Sequence, residues 1–202
     1  MKFLVPAGGM TNDTFGIITG HQHKGIPSGI VAGLPWAADN GAFTGFNSAA
    51  FFPWLETMTP YRDTCLFVVV PDVVGDSMAT WLEFVRWQPE LACWPLAYVA
   101  QDGQEKLPFP AIHEWDTLFI GGSTEWKVSQ GALDCIGRAQ HLSKRVHVGR
   151  VNWWKRYAHF RLCNGSDDWT CDGTRQRFDG IDKTLAAWAE YQQQTPLFFL
   201  EG

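Results

Sequence analysis

A chain of 202 residues, 46% apolar and 18% charged, is long enough for one domain with a substantial core and excludes a disordered or fibrous protein. Its net charge of −5 argues against an indiscriminate polyanion binder, since that affinity rests on Lys and Arg. Cys65, Cys93, Cys135, Cys163 and Cys171 form no CxxC pair or Cys/His cluster, the opening apolar run is too brief for a signal peptide, and no stretch approaches about 18 apolar residues, so the expectation is a soluble protein of a reducing cytoplasm with no zinc site and no membrane partner.

Lys2 to Pro6 reads as a first strand, and Ile30 to Ala38 as a second, reached through a loop whose most polar part is Gly20-His21-Gln22-His23-Lys24-Gly25-Ile26-Pro27. Cys65 to Val70 is continuous and β-branched, the pattern of a strand buried on both faces. Met78 to Trp87 carries apolar residues at helical spacing, with Asp76 or Ser77 as N-cap. Strands follow at Trp94 to Ala100, Thr117 to Ile120 and Val146 to Val148, with helices at Val128 to Leu142 and Val151 to Leu162. Trp169 to Cys171 is a weak last strand and Lys183 to Gln193 a closing helix. Alternating strands and helices mean a parallel sheet with crossover helices. Seven or eight repeats favour a compact TIM-like β/α barrel spanning 1–202 as one domain; an open doubly wound sheet is the alternative. Neither GxGxxG nor GxxxxGK[ST] occurs, so no nucleotide cofactor is expected.

Five segments end predicted strands with polar or glycine residues: Ala38-Asp39-Asn40-Gly41-Ala42-Phe43, Val70-Pro71-Asp72, Val99-Ala100-Gln101-Asp102-Gly103, Phe119-Ile120-Gly121-Gly122, and the stretch from Gly165 to Thr174. In a barrel all these ends open on one face, where active sites are built. Several carboxylates, an amide and a Gly-Gly turn suit acid/base or covalent carboxylate chemistry, with glycosyl transfer the obvious class. Asp, Gln and backbone amides also match the donors and acceptor of guanine. Eleven Trp exceed the needs of a core and serve either packing or a stacking surface. Between Asp134 and Asp167 no acid occurs, while seven of the sixteen basic residues fall there, interleaved with Trp153, Trp154, Tyr157 and Phe160. That composition fits phosphate neutralisation and base stacking, or equally a solvated helix face. His21 and His23 read as loop residues and His147 as packing.

These segments, in their order, resemble the tRNA-guanine transglycosylase superfamily, particularly the short phage and bacterial members that insert 7-deazaguanine bases into DNA; the resemblance runs from about Leu34 to Thr174. Where the family reads D-S-G-G-[FY]-Q, this chain has Asp39-Asn40-Gly41-Ala42-Phe43-Thr44, which implies Asp39 as general acid/base and Phe43 as the stacking ring. Asp72 and Gln101 correspond to the family's base readers, and Gly121 and Gly122 to its base-binding loop. The covalent nucleophile lies in a G-x-D-x-x-D segment whose spacing departs here. Asp167, Asp168 and Asp172 compete for the role, and Asp172 is preferred because it follows the weak strand. The Cys3His zinc subdomain of tRNA-acting members is missing, which shifts the expected polymer to DNA.

The resemblance implies covalent base exchange with no cofactor. The partners are DNA and a free 7-deazaguanine such as preQ0, and a homodimer is left open. DNA would be held by Arg150, Trp153, Trp154, Lys155 and Arg156. A tRNA-directed exchange, a base-releasing glycosidase and a non-catalytic barrel that binds nucleic acid or a deazapurine are the alternatives.

Overall fold

The computed structural model describes residues 2–8, 15–152, 159–160, 168–174, 180, 183, 186–187 and 189–190. Eight strands form a closed, wholly parallel barrel: β1 (Lys2–Pro6), β2 (Gly16–Thr19), β3 (Trp36–Ala38), β4 (Cys65–Val69), β5 (Leu96–Ala100), β6 (Thr117–Ile120), β7 (Arg145–Val148) and β8 (Thr170–Asp172). Each strand pairs with the next in sequence, and β8 closes on β1 through Leu4 opposite Asp172. The expected TIM-like α/β barrel is therefore the fold.

Alternate residues along each strand point inward and outward. Leu4, Ile18, Ala37, Phe67, Val69, Ala97 and Val99 fill the interior, with Phe119 packed against them. The outward set, including Phe3, Trp36, Val68, Tyr98, Leu118 and Val146, packs on the helical layer through Phe51, Leu55, Phe84, Ala132 and Ile136. That layer includes α1 (Ser28–Val31), α2 (Ser48–Thr57), α3 (Ser77–Leu91), α4 (Thr124–Lys127) and α5 (Gln130–His141). Trp36, Trp115 and Trp169 are fully buried, and Trp94 and Trp126 nearly so, so these tryptophans serve packing rather than a stacking surface.

Several elements differ from the sequence expectation, among them α2, where no helix was expected. β2 falls within the stretch read as loop, because its four residues Gly16-Ile17-Ile18-Thr19 are too few to show a period, although all are buried. Its Gly16 is required by space, since a Cβ there would lie 2.5 Å from Leu4 Cδ2 and 2.9 Å from the Pro35 carbonyl oxygen. The second expected strand begins only at Trp36: Ile30 belongs to α1, which starts after Pro27 (φ −56°) and ends before Gly33 in a left-handed conformation (φ +87°). The helix expected from Val128 to Leu142 is α5, Gln130–His141, and the short α4 before it was not expected; each has its own serine cap. Ser123 Oγ accepts from the Trp126 amide at 3.1 Å, and Ser129 Oγ from the Ala132 amide at 3.5 Å. Asp76, not Ser77, caps α3, accepting from the Ala79 amide at 2.9 Å. Most of the helices expected at Val151 to Leu162 and Lys183 to Gln193 lies outside the described residues.

Candidate active site

The C-terminal ends of β3 to β8 surround one cavity of about 110 Å³. Asp39, Asn40, Phe43, Asp72, Gln101, Gly121, Gly122, Lys127, Arg150 and Asp172 all line it. Of the described residues proposed from the sequence, all but the competing Asp168 therefore line one pocket. Its volume is well below the roughly 300–1,000 Å³ of drug-sized sites, so it suits a ligand about the size of one base.

The turn after β3 is fixed by two consecutive side chains. Asp39 Oδ1 accepts from the Gly41 amide at 3.0 Å, and Asn40 Oδ1 from the Ala42 amide at 2.7 Å. Gly41 sits at φ +75°, a conformation that favours glycine. The Asn40 amide donates to the Val70 carbonyl at 3.0 Å and to Asp72 Oδ1 at 2.7 Å, tying β3 to β4.

Gln101 makes the next bridge. Its Nε2 donates to Asp72 Oδ2 at 2.6 Å, while its Oε1 accepts from the Gly75 amide at 3.0 Å and the Gly122 amide at 2.7 Å. Asn40, Asp72 and Gln101 thus form one continuous polar wall. The Gly121 amide donates to the Ala100 carbonyl at 2.9 Å. Both amides of the Gly121-Gly122 turn are consequently occupied by the protein, and the turn borders the pocket as backbone rather than as a free donor pair. Asp102, read only as part of a strand end, clips the adjacent loops by accepting from the Ser123 amide at 2.7 Å and hydroxyl at 2.6 Å.

Asp39 and Asp172 line the same cavity, and their surroundings push their ionisation apart. Burial alone would raise Asp172. It is outweighed by the hydrogen bond of His147, the Arg150 amide and the charge of Lys127, which together hold the carboxyl below the ordinary value of 3.8. Asp39 goes the other way: crowding by protein raises its carboxyl, and the Asp172 charge adds to that against the Gly41 amide. Solvent still reaches Asp39 through the pocket mouth, so this elevation is screened. Asp72 is also raised by burial, despite the Asn40 and Gln101 hydrogen bonds. Cys171, next to Asp172, is fully buried with its thiol pushed well above 9.0, which removes it as a nucleophile.

Of the three competing aspartates, Asp168 is exposed and precedes β8, at the N-terminal end of that strand, whereas Asp172 ends the strand and lines the cavity. Asp167 lies outside the described residues. Arg150 adopts left-handed backbone at φ +57°, and its guanidinium lies 4.6 Å from the centroid of the Phe43 ring, which is 70% exposed at the mouth. Trp153, Trp154, Lys155 and Arg156 lie outside the described residues. The basic window is not one face, because Lys144 donates to the Trp115 carbonyl, Arg138 to the Leu107 carbonyl, and Arg145 begins β7.

Sequence reasoning missed two of the site's residues. Lys127, 3% exposed, donates from Nζ to the Gly149 carbonyl at 2.7 Å; a four-residue helix such as α4 gives no periodic signal. His147 does pack, between Phe67 and Phe119, but it also bonds to Asp172, so the packing reading is incomplete. Its inward position within Arg145-Val146-His147-Val148 was the available clue. A larger groove of about 790 Å³, lined by Pro108, Phe109, Leu133 and Arg138 among others, includes none of the strand-end residues. Among the described residues no group of three potential metal ligands occurs, and no helix is long and apolar enough to cross a membrane.

Fold and site together define a β/α barrel with a small pocket lined by two carboxylates and a polar wall at its strand ends. No protein-family model, curated protein or solved structure matches the chain.

Proposed function

We propose that this protein is a guanine transglycosylase that exchanges guanine in DNA for a 7-deazaguanine base through a covalent aspartyl-deoxyribosyl intermediate. The observation that carries the reading is the convergence of Asp39, Asp172 and the Asn40–Asp72–Gln101 wall on one small pocket. Two carboxylates pushed apart by their environments divide nucleophile from acid/base. Asp172, held ionised, attacks C1′ as the C1′–N9 bond breaks, and Asp39, inclined to hold its proton, delivers it to N9 of the departing guanine. In the second half the incoming base returns its N9 proton to Asp39, its nitrogen bonds to C1′, and the Asp172–C1′ bond breaks. No proton or electron is left over.

The wall of Asn40, Asp72 and Gln101 supplies recognition, with Asp72 offering acceptor capacity to the N1–H and exocyclic amine of a guanine-like edge. Phe43 stands at the mouth to stack on the base. C1′ is shielded within a duplex, so the target nucleotide is flipped at a cost on the order of a few kcal/mol. Arg150, whose guanidinium lies over Phe43 at the pocket, would hold the flipped strand.

The test incubates the protein with guanine-containing duplex DNA and labelled preQ0, then digests the DNA and analyses its nucleosides. Label in DNA supports the proposal. Label in tRNA alone moves the activity to the other polymer, release of guanine without incorporation makes the protein a glycosidase, and binding without either reaction makes it a non-catalytic module.

A further inference from the structure

His147 is mid-strand, fully buried, and held between aromatic rings with centroids 5.0 Å away at Phe67 and 4.5 Å away at Phe119. An apolar ring would fill that space without any polar group to satisfy, and a buried polar group left unpaired costs about 1–3 kcal/mol. Both ring nitrogens are in fact engaged. Nδ1 lies 2.7 Å from Thr170 Oγ1 and Nε2 lies 3.3 Å from Asp172 Oδ2. Thr170 and Asp172 are alternate residues of β8, so both face inward, and β7 pairs His147 directly opposite Thr170.

We propose that Thr170 and His147 form a positioning relay for Asp172, in which the Thr170 hydroxyl donates to Nδ1 and thereby leaves Nε2–H to donate to the Asp172 carboxylate. This rests on reading Asp172 as the nucleophile. A neutral imidazole has one donor and one acceptor nitrogen. Were Nδ1 the donor, the lone pair of Nε2 would face a carboxylate oxygen, and the contact would survive only with a proton on Asp172, which would quench its attack. With Nε2 as donor, Oδ2 is held by His147 and Oδ1 by the Arg150 amide at 2.5 Å. Both oxygens are then oriented while lone pairs remain toward the cavity. The relay transfers no proton; the N–H stays on His147 through both halves of the exchange.

Other charged groups also act on Asp172: Lys127 from α4 and Asp39 from β3. Against His147 stand Thr170 and Asp172 from β8, the neutral rings of Phe67 and Phe119, and the charge of Asp39. The test therefore alters the relay alone. Thr170→Val keeps the shape and removes the hydroxyl, Thr170→Ser keeps the hydroxyl, and His147→Phe removes the donor.

Asp172 is titrated by carboxyl carbon NMR in Asp-labelled protein, its signal assigned by loss in Asp172→Asn, and the pH profile of base exchange is recorded in parallel. Thr170→Val and His147→Phe are expected to move the Asp172 midpoint and the acid limb of kcat upward by about one unit or more, with KM changed less than about twofold and Thr170→Ser matching wild type. Should His147→Phe not fold, Thr170→Val carries the test. An Asp172 midpoint unmoved in folded Thr170→Val overturns the relay. A shifted midpoint in a protein that performs no exchange upholds the relay and overturns the base-exchange reading instead.

Discussion

Gln101→Leu tests whether the polar wall is a built structure. The amide bonds three groups, and the three fare differently when it is lost. The Gly122 amide is buried and keeps no other partner, which costs about 1–3 kcal/mol. Gly75 is exposed, so water replaces its bond at a cost of a few tenths of a kcal/mol. Asp72 keeps the Asn40 bond but loses one of the two side-chain donors that oppose its desolvation, adding roughly 1 kcal/mol. The sum, about 2–4 kcal/mol, lowers Tm by roughly 5–15 °C for a chain of this length. Calorimetric melting measures the change, with Gln101→Glu as control because a carboxylate still accepts from Gly122. Its contact with Asp72 then requires a shared proton, so Gln101→Glu should be more stable at acidic than at neutral pH. A Gln101→Leu protein melting within about 2 °C of wild type would refute the bridge.

Three further outcomes follow from the same geometry. Asp172 binds fewer protons folded than unfolded, so its contribution is present above 3.8 and lost as pH falls through the folded value. Asp39 and Asp72 are raised, so their contributions run oppositely and stability declines as pH rises from 3.8 toward their folded values. Melting against pH should therefore show a shallower acid limb in Asp172→Asn, and an unchanged limb contradicts the assignment. Gly122→Ala forces a side chain into φ +73°, with its Cβ 2.5 Å from Asp102 Oδ1 and 2.7 Å from Trp126 Cε3; denaturant unfolding should register a loss of about 2–5 kcal/mol. Arg150→Gly relieves a left-handed backbone, so stability changes by less than about 1 kcal/mol while the salt dependence of DNA binding falls by about one in slope. A full loss of folding, or an unchanged slope, would remove Arg150 from the interface.

The barrel was legible because β4, β5 and β6 are continuous apolar runs and the strand-end residues recur in order. β2 and α4 escaped because they have four residues each, fewer than a period needs; the ten-residue α2 escaped because Pro53 interrupts its run. The site was legible by residue type but not by connection. Nothing local to Gln101 announces that its oxygen bonds the Gly122 amide rather than leaving that amide for a ligand. Likewise His147 is an inward residue whose partners, Thr170 and Asp172, follow it by 23 and 25 positions. The choice among the aspartates needed the position of β8, which puts Asp172 at the cavity and Asp168 at the strand's other end.

Covalent bonding of Asp172 to C1′ is tested directly by mass mapping of a protein–DNA adduct trapped on a guanine-containing oligonucleotide. An adduct is expected on the peptide containing Asp172, absent in Asp172→Asn, formed in Asp168→Asn, and formed more slowly in Asp39→Asn, which lacks the acid for the departing guanine. An adduct on Asp39, or one abolished by Asp168→Asn alone, would contradict covalent bonding at Asp172.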